Sequence, residues 1–252
     1  MGFKLKGVSS GCKVRALGAS FLACALAACP TRAPPPPAPL TNAPPPPLTA
    51  PHVGRPYGIV ADQSLLTVRV YRGGALASAG HNHVIASHTL AGTIYLADDV
   101  LRTSFEVRFA AAELSVDEPQ LRAQEPGADF PPDVPQSARD GTRRNMLGPA
   151  LLAADDYPEL VLRAERLEAA ASGAAGELVA QIEAQVRDQR RTIAVPVRYE
   201  LAGDTLTVTG ESALRQSDLG LTPFTAFMGA LAVQDEMRIR FRIVARAAGG
   251  AR

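Results

Sequence analysis

Residues 79–88 read Ala-Gly-His-Asn-His-Val-Ile-Ala-Ser-His and hold three of the chain's four histidines. On an extended strand His81 and His83 project from one face about 7 Å apart, a separation that suits two ligands to zinc or copper. His88, five positions beyond His83, falls on the opposite face of a regular strand, and the nearest acids in sequence, Asp98 and Asp99, lie past the expected strand end. Two imidazoles do not complete a metal site. A third ligand would have to arrive from elsewhere in the fold, so metal chemistry through His81 and His83 stands as an alternative and no metal is assigned. The chain carries no Gly-x-Ser-x-Gly elbow, no phosphate-binding glycine loop and no paired cysteine ligands. No catalytic residue is therefore assigned, and a non-enzymatic protein is expected.

What those histidines can do depends on the wall that carries them. From Tyr57 onward the hydrophobic pattern has a period of two. Leu66, Val68 and Val70 share one face against Thr67, Arg69 and Tyr71, and Phe105, Val107 and Phe109 oppose Ser104, Glu106 and Arg108. Leu178, Ala180, Ile182, Ala184 and Val186 alternate with Glu177, Gln181, Glu183, Gln185 and Arg187, and Ile193, Val195, Val197, Tyr199 and Leu201 give a further apolar row. Gly203-Asp204 reads as the turn into Leu206 and Val208, and the closing segment sets Met237, Ile239, Phe241 and Ile243 against Arg238, Arg240 and Arg242, a solvated outer row. The segments near 59–71, 84–96, 101–110, 160–168, 177–188, 191–202, 205–215 and 236–246 make about eight antiparallel strands. Such one-sided strands can bury their apolar rows against a second sheet or against themselves in a closed barrel, and the barrel is preferred because eight strands leave room for one small ligand.

The exception is 115–158. The stretch DEPQLRAQEPGADFPPDVPQ, with its five prolines and five acids, reads as an irregular loop over the surface. Ser137 with Asp140 resembles a capping box opening a helix, in which Met146, Leu147, Leu151 and Leu152 supply apolar side chains around a break at Gly148-Pro149. This insertion would close one end of the barrel.

The N-terminus has its own layout. Lys4, Lys6, Lys13 and Arg15 precede an uncharged run, Ala16 to Ala28, too short to span a bilayer as a helix, as in an export signal. The run ends in Leu26-Ala27-Ala28-Cys29, which resembles a bacterial lipobox with Cys29 as the acylated residue. Cys12, Cys24 and Cys29 are the only cysteines, so cleavage before Cys29 leaves one thiol and no intramolecular disulfide. It also takes the formal net charge from +1 to −3, which argues against nucleic acid as a partner. Twelve of the 21 prolines lie between Pro30 and Pro56, a composition of solvated polyproline II that makes a tether. The organisation expected is a signal peptide at 1–28, a lipidated cysteine and tether at 29–56, which takes in His52, a barrel domain at 57–246 and a disordered tail at 247–252. The protein would be exported to the periplasm and anchored in a membrane. Pro30, in place of an acidic residue after the cysteine, favours the outer membrane by analogy with known sorting rules.

The run RDGTRRNMLGPALLAADDYPELVLRAERLE (139–168) resembles a segment of YceI-like proteins, in which an arginine-acid pair opens a helix and a Tyr-Pro turn leads into a strand. ALRQSDLGLTPFTAFMGALAVQDEMRIRFRIVA (213–245) is similar to their closing region, and YGIVADQSLLTVRVYRGG (57–74) to their start. Gly80-His81-Asn82-His83 and Leu219 depart from the family pattern, which commonly has a plainer strand and an aromatic residue there. The resemblance implies an all-β fold, an extended antiparallel lipocalin-like barrel of about eight strands with a short helical insertion closing one end. It implies a non-enzymatic binding protein that holds a long-chain apolar lipid, of isoprenoid or quinone type, as its ligand and needs no other cofactor.

The ligand-facing set then comprises Leu66, Val68, Val70, Leu90, Ile94, Phe105, Val107, Phe109, Leu162, Ile182, Val195, Val197, Ile239 and Phe241. To these are added Leu147 and Leu151 from the insertion and Phe224 and Phe227 from LTPFTAFMG. His81 and His83 at the mouth would hydrogen-bond a quinone, phenol or phosphate head group. A structural envelope adaptor with a filled barrel is the remaining alternative, and whether two barrels pair as a homodimer is left open.

Overall fold

The computed structural model describes residues 52–248 apart from residue 165. The export signal, Cys29 and nearly all of the tether lie outside the described residues. The chain folds in order through β1 (Arg55–Ile59), β2 (Leu65–Gly73), β3 (His83–Ser87), β4 (Ala91–Leu96), β5 (Ser104–Ala110) and β6 (Ser115–Val116). Two helices, α1 (Pro119–Arg122) and α2 (Gln136–Leu147), come next. Strands β7 (Glu159–Ala164), β8 (Leu167–Ala169), β9 (Glu177–Val186), β10 (Gln189–Ala202), β11 (Thr205–Arg215), β12 (Thr225–Ala226) and β13 (Leu231–Ala247) complete it.

The path β1-β4-β5-β7-β9-β10-β11-β13 returns to β1, which pairs Tyr57 with Ala247 of β13 on one side and with Ile94 of β4 on the other. The result is a closed antiparallel barrel of eight strands. Below that closure β13 passes on to β2, which pairs with β3, so β1–β2 and β3–β4 each behave as one bent strand of the wall. Among the wall strands, β4–β5, β9–β10 and β10–β11 are consecutive in the chain and pair directly, the arrangement that short turns favour. Gly203, at φ +58°, opens the two-residue turn between β10 and β11.

The period-two rows point where a closed cylinder requires. In β9, Leu178, Ala180, Ile182, Ala184 and Val186 are buried while the residues between them are half exposed. β13 turns Ile239 and Phe241 inward to the bore, with Arg238 and Arg242 exposed outside.

Four expectations are corrected. The barrel begins earlier: Arg55 and Pro56 already pair with β4, and His52, assigned to the tether, stacks on Tyr95 with ring centroids 3.9 Å apart. The proline-rich stretch after β6 does lie on the surface, but it folds a second small core there. Leu121 and Phe130 pack on Val84 and Ala86 of β3, so that strand is dry on both faces. The capping box is not formed. α2 starts from Pro135, and Asp140 instead accepts from the Gln136 side-chain amide at 2.7 Å. Phe227, expected to face ligand, is 74% exposed on the β12–β13 side.

α2 ends at Gly148, where Gly-Pro stops it, and the turns that follow return Leu151 and Leu152 to the barrel. With Met146 they pack on Phe109, Leu114 and Val186, which closes that end.

Candidate functional site: an apolar bore and a histidine recess

The bore contains two chambers. The first, about 110 Å³, is lined by 21 residues, of which only Thr103 and Tyr199 carry a polar side-chain atom. The second, about 170 Å³, lies towards α2, and only Ser87 and Gln216 interrupt its hydrocarbon wall. Leu66, Leu162, Ile193 and Ile239 line both, so these four side chains form a waist between them. The bore is thus narrower than the strand pattern suggests, because four long aliphatic side chains meet at mid-height. Each chamber is near the size of an engineered apolar cavity of about 150 Å³ that stays dry and admits benzene. A longer chain must thread the waist, which Leu and Ile permit by changing rotamer.

Fifteen of the expected ligand-facing residues line one or both chambers. Leu90, Ile94, Phe105, Val107, Ile182, Val195, Val197 and Phe241 are in the first; Val68, Val70, Phe109 and Leu151 are in the second; and Leu66, Leu162 and Ile239 are at the waist. Leu147 packs beside the second chamber without lining it. Leu206, Val208 and Met237, read as parts of apolar rows, line the chambers as well, and so does Leu214, which was not expected from the sequence.

Beyond the second chamber lies a recess of about 320 Å³ that holds His81, His83, Thr142, Asn145 and Phe224. It shares Val70, Ile85, Met146, Leu151 and Gln216 with that chamber, so these side chains form the partition between polar recess and apolar bore. The two imidazoles are 6.1 Å apart between centroids.

His83 is built in. Its Nδ1 lies 2.6 Å from Oδ2 of Asp117, and its Nε2 lies 3.0 Å from the Thr142 hydroxyl of α2. These partners fit a proton on Nδ1 donated to the carboxylate, with Nε2 accepting from threonine. Asp117 also accepts the Val84 backbone N–H at 2.9 Å and Arg122 at 2.7 Å, and its φ is +54°. Arg122 donates further to the Asn82 and Pro131 carbonyls, and its side chain is 2% exposed. Burial works to raise the Asp117 pKa, but the hydrogen bonds from His83 and Val84 and the Arg122 charge outweigh it and hold the carboxyl below its ordinary value.

Both His83 nitrogens are therefore engaged, and joint chelation with His81 would require one of those bonds to break. Among the described residues no group of three or more His, Cys, Asp or Glu side chains is arranged to hold a metal. His88 lies outside, exposed, against Glu118 at 3.0 Å.

His81 is free to meet a ligand. Burial, then the neighbouring His83, Arg122 and Arg72, lower its pKa, which favours the neutral ring. The unfolded chain binds this proton more readily, so the contribution is complete above the ordinary value of 6.5 and declines as pH falls through and below it. Denaturation midpoints between about pH 7 and 5 should fall less steeply in His81→Gln than in the parent. Equal slopes would remove His81 from this account.

A scan against protein-family models and a search of curated protein sequences give no match. Among solved structures, Burkholderia cenocepacia BcnA aligns with a TM-score of 0.54 at 14% identity, covering 74% of this chain and 99% of that one. A polyisoprenoid binding domain from Saccharophagus degradans aligns at 0.49 and 13% identity over 76% and 98% of the two chains. A Campylobacter jejuni YceI protein aligns at 0.44 and 8% identity over 64% and 82%. The likeness to BcnA is one of fold: this chain has the extended antiparallel barrel that its resemblance to YceI-like proteins implies.

Proposed function

We propose that the protein is a non-enzymatic carrier of a long apolar lipid, with the chain in the bore and a small polar head group in the histidine recess. The observation that carries this reading is adjacency: five side chains that face both, Met146 and Leu151 among them, stand between a hydrocarbon-lined bore and a recess that presents His81, whose lowered pKa favours the neutral ring. About 0.8 kcal/mol per buried methylene accumulates in such a bore without directional contacts. His81 offers one N–H and one lone pair, which suits a carbonyl or phenol oxygen better than a densely charged group. An isoprenoid or quinone-type lipid meets both demands.

Competition against a fluorescent polyene fatty acid by prenyl alcohols of increasing length tests this. Affinity should rise at least about tenfold per added isoprene unit until the bore is filled and then level off. Affinity independent of length would place the probe on the surface and end the proposal.

The same reading has the chain exported and acylated at Cys29, held on its proline-rich tether at the periplasmic face of the outer membrane. Incorporation of labelled palmitate that persists in Cys29→Ser would contradict this. One observation favours a second reading: the waist leaves each chamber small, as expected of an envelope adaptor whose barrel is filled by its own side chains.

A further inference from the structure

The wall between β10 and β11 is only partly zipped. Its ladder runs from Ala202 opposite Thr205 to Arg198 opposite Thr209 and stops there. β10 nevertheless continues to Gln189, paired with β9, and β11 continues to Arg215, paired with β13. Residues 189–197 and 210–215 thus flank a seam in which the two strands share no ladder. At its far end the seam is bounded where Gly220 comes against the Gln189 side chain.

The sequence explains where the ladder stops. Pro196 has no N–H to give, and proline within a sheet belongs at an unpaired edge. The ladder with β9 passes through Pro196, opposite Val179, while the ladder with β11 ends two residues short of it. Across the seam stands Gly210, where an added Cβ would collide with the Phe241 ring and the Pro196 carbonyl. Glycine is therefore required for the ring to lie across the strand.

A groove of about 610 Å³ runs over the outer face at this point. Leu178, Val197 and Phe241 line both this groove and the first chamber of the bore. The same side chains are thus met from outside and from within.

We propose that the seam is a lateral port through which the apolar chain passes into the bore, with Phe241 lying over Gly210 as its shutter. The inference rests on the carrier reading and adds a route to it. The opposite end of the bore is closed by α2 and the turns after it, so a chain that came in by that end would have to displace Met146, Leu151 and Leu152. At the seam no β10–β11 ladder has to break, and the Phe241 ring, with Leu178 and Val197 beside it, has to give way.

Ala194 and Ala213 face outward and stand opposite each other across the seam when the Arg198–Thr209 register is continued. Ala194→Cys with Ala213→Cys, in a full-length chain carrying Cys12→Ser, Cys24→Ser and Cys29→Ser, allows a short bis-maleimide to staple the wall shut. The unstapled double variant is the control for folding. With a polyene fatty acid as probe, stapling should slow association and dissociation together by about tenfold or more and leave Kd within about twofold. Phe241→Ala should speed both rates by at least about fivefold. Rates unchanged by the staple, or affinity lost with association unaltered, would overturn the port. Failure of the unstapled chain to bind the probe at all would overturn the carrier reading, and the port with it.

Discussion

Ala184→Leu is expected to weaken binding of a long-chain probe by roughly 50-fold while leaving the protein as stable as the parent or slightly more so. Ala184 is 1% exposed, faces the second chamber and sits opposite Leu162 of the waist. Leucine adds three carbons to space that the ligand chain would otherwise occupy. At about 0.8 kcal/mol per methylene, excluding three of them removes about 2.4 kcal/mol of binding. Filling an empty apolar cavity commonly adds about 0.5–2 kcal/mol of stability, so the two properties should move in opposite directions. A merely damaged barrel would lose both. Titration and denaturant unfolding of the same preparation check the result, with outward-facing Ala194→Leu as the control that changes neither. Binding that survives Ala184→Leu in a folded, stabilised protein would place the ligand outside the bore.

Asp117→Ala should lower the unfolding free energy by about 3–5 kcal/mol. The substitution leaves Arg122 buried without its carboxylate, deprives the Val84 N–H of its acceptor and frees His83 from the group that orients it. It also puts alanine at a φ of +54°, which aspartate tolerates better. Asp117→Asn, similar in shape and able to accept one of these bonds, should lose clearly less. Asp117→Ala combined with Arg122→Met should recover part of the loss, because no buried charge is then stranded. Chemical denaturation of the three variants distinguishes this from a surface effect. A loss below about 1 kcal/mol for Asp117→Ala would mean that the carboxylate is not the keystone between β3, α1 and α2. Because Thr142 of α2 reaches the same His83, the damaged variant should also loosen the closed end of the barrel.

The strands were legible because each inward row alternates with polar neighbours, as Leu178 to Val186 show. The Gly203-Asp204 turn between β10 and β11 was legible too, whereas the order around the barrel came only with the fold. β3 was harder to read: its outer face is covered by Leu121 and Phe130, whose burial no period within the strand announces. The histidine partners were missed for a related reason. Asp117 lies 34 residues and Thr142 59 residues from His83, and only the fold brings them to the ring. A signal existed in the acid of Val116-Asp117-Glu118-Pro119, with Arg122 five positions on. It was obscured by the prolines and acids that made the whole segment look solvated. The waist depends on the stagger between strands, which alternation does not encode. The seam could have been suspected from Pro196, a proline in the middle of an otherwise regular β row.

Organic extraction of protein purified gently from cells that produce it, followed by mass spectrometry, addresses the central claim most directly. A carrier should yield close to one long-chain isoprenoid or similar apolar lipid per barrel, absent from an Ala184→Leu preparation handled in parallel. Repeated extraction that returns no lipid, from protein that also fails to take one up when it is offered, would contradict the account and leave a barrel filled by its own side chains.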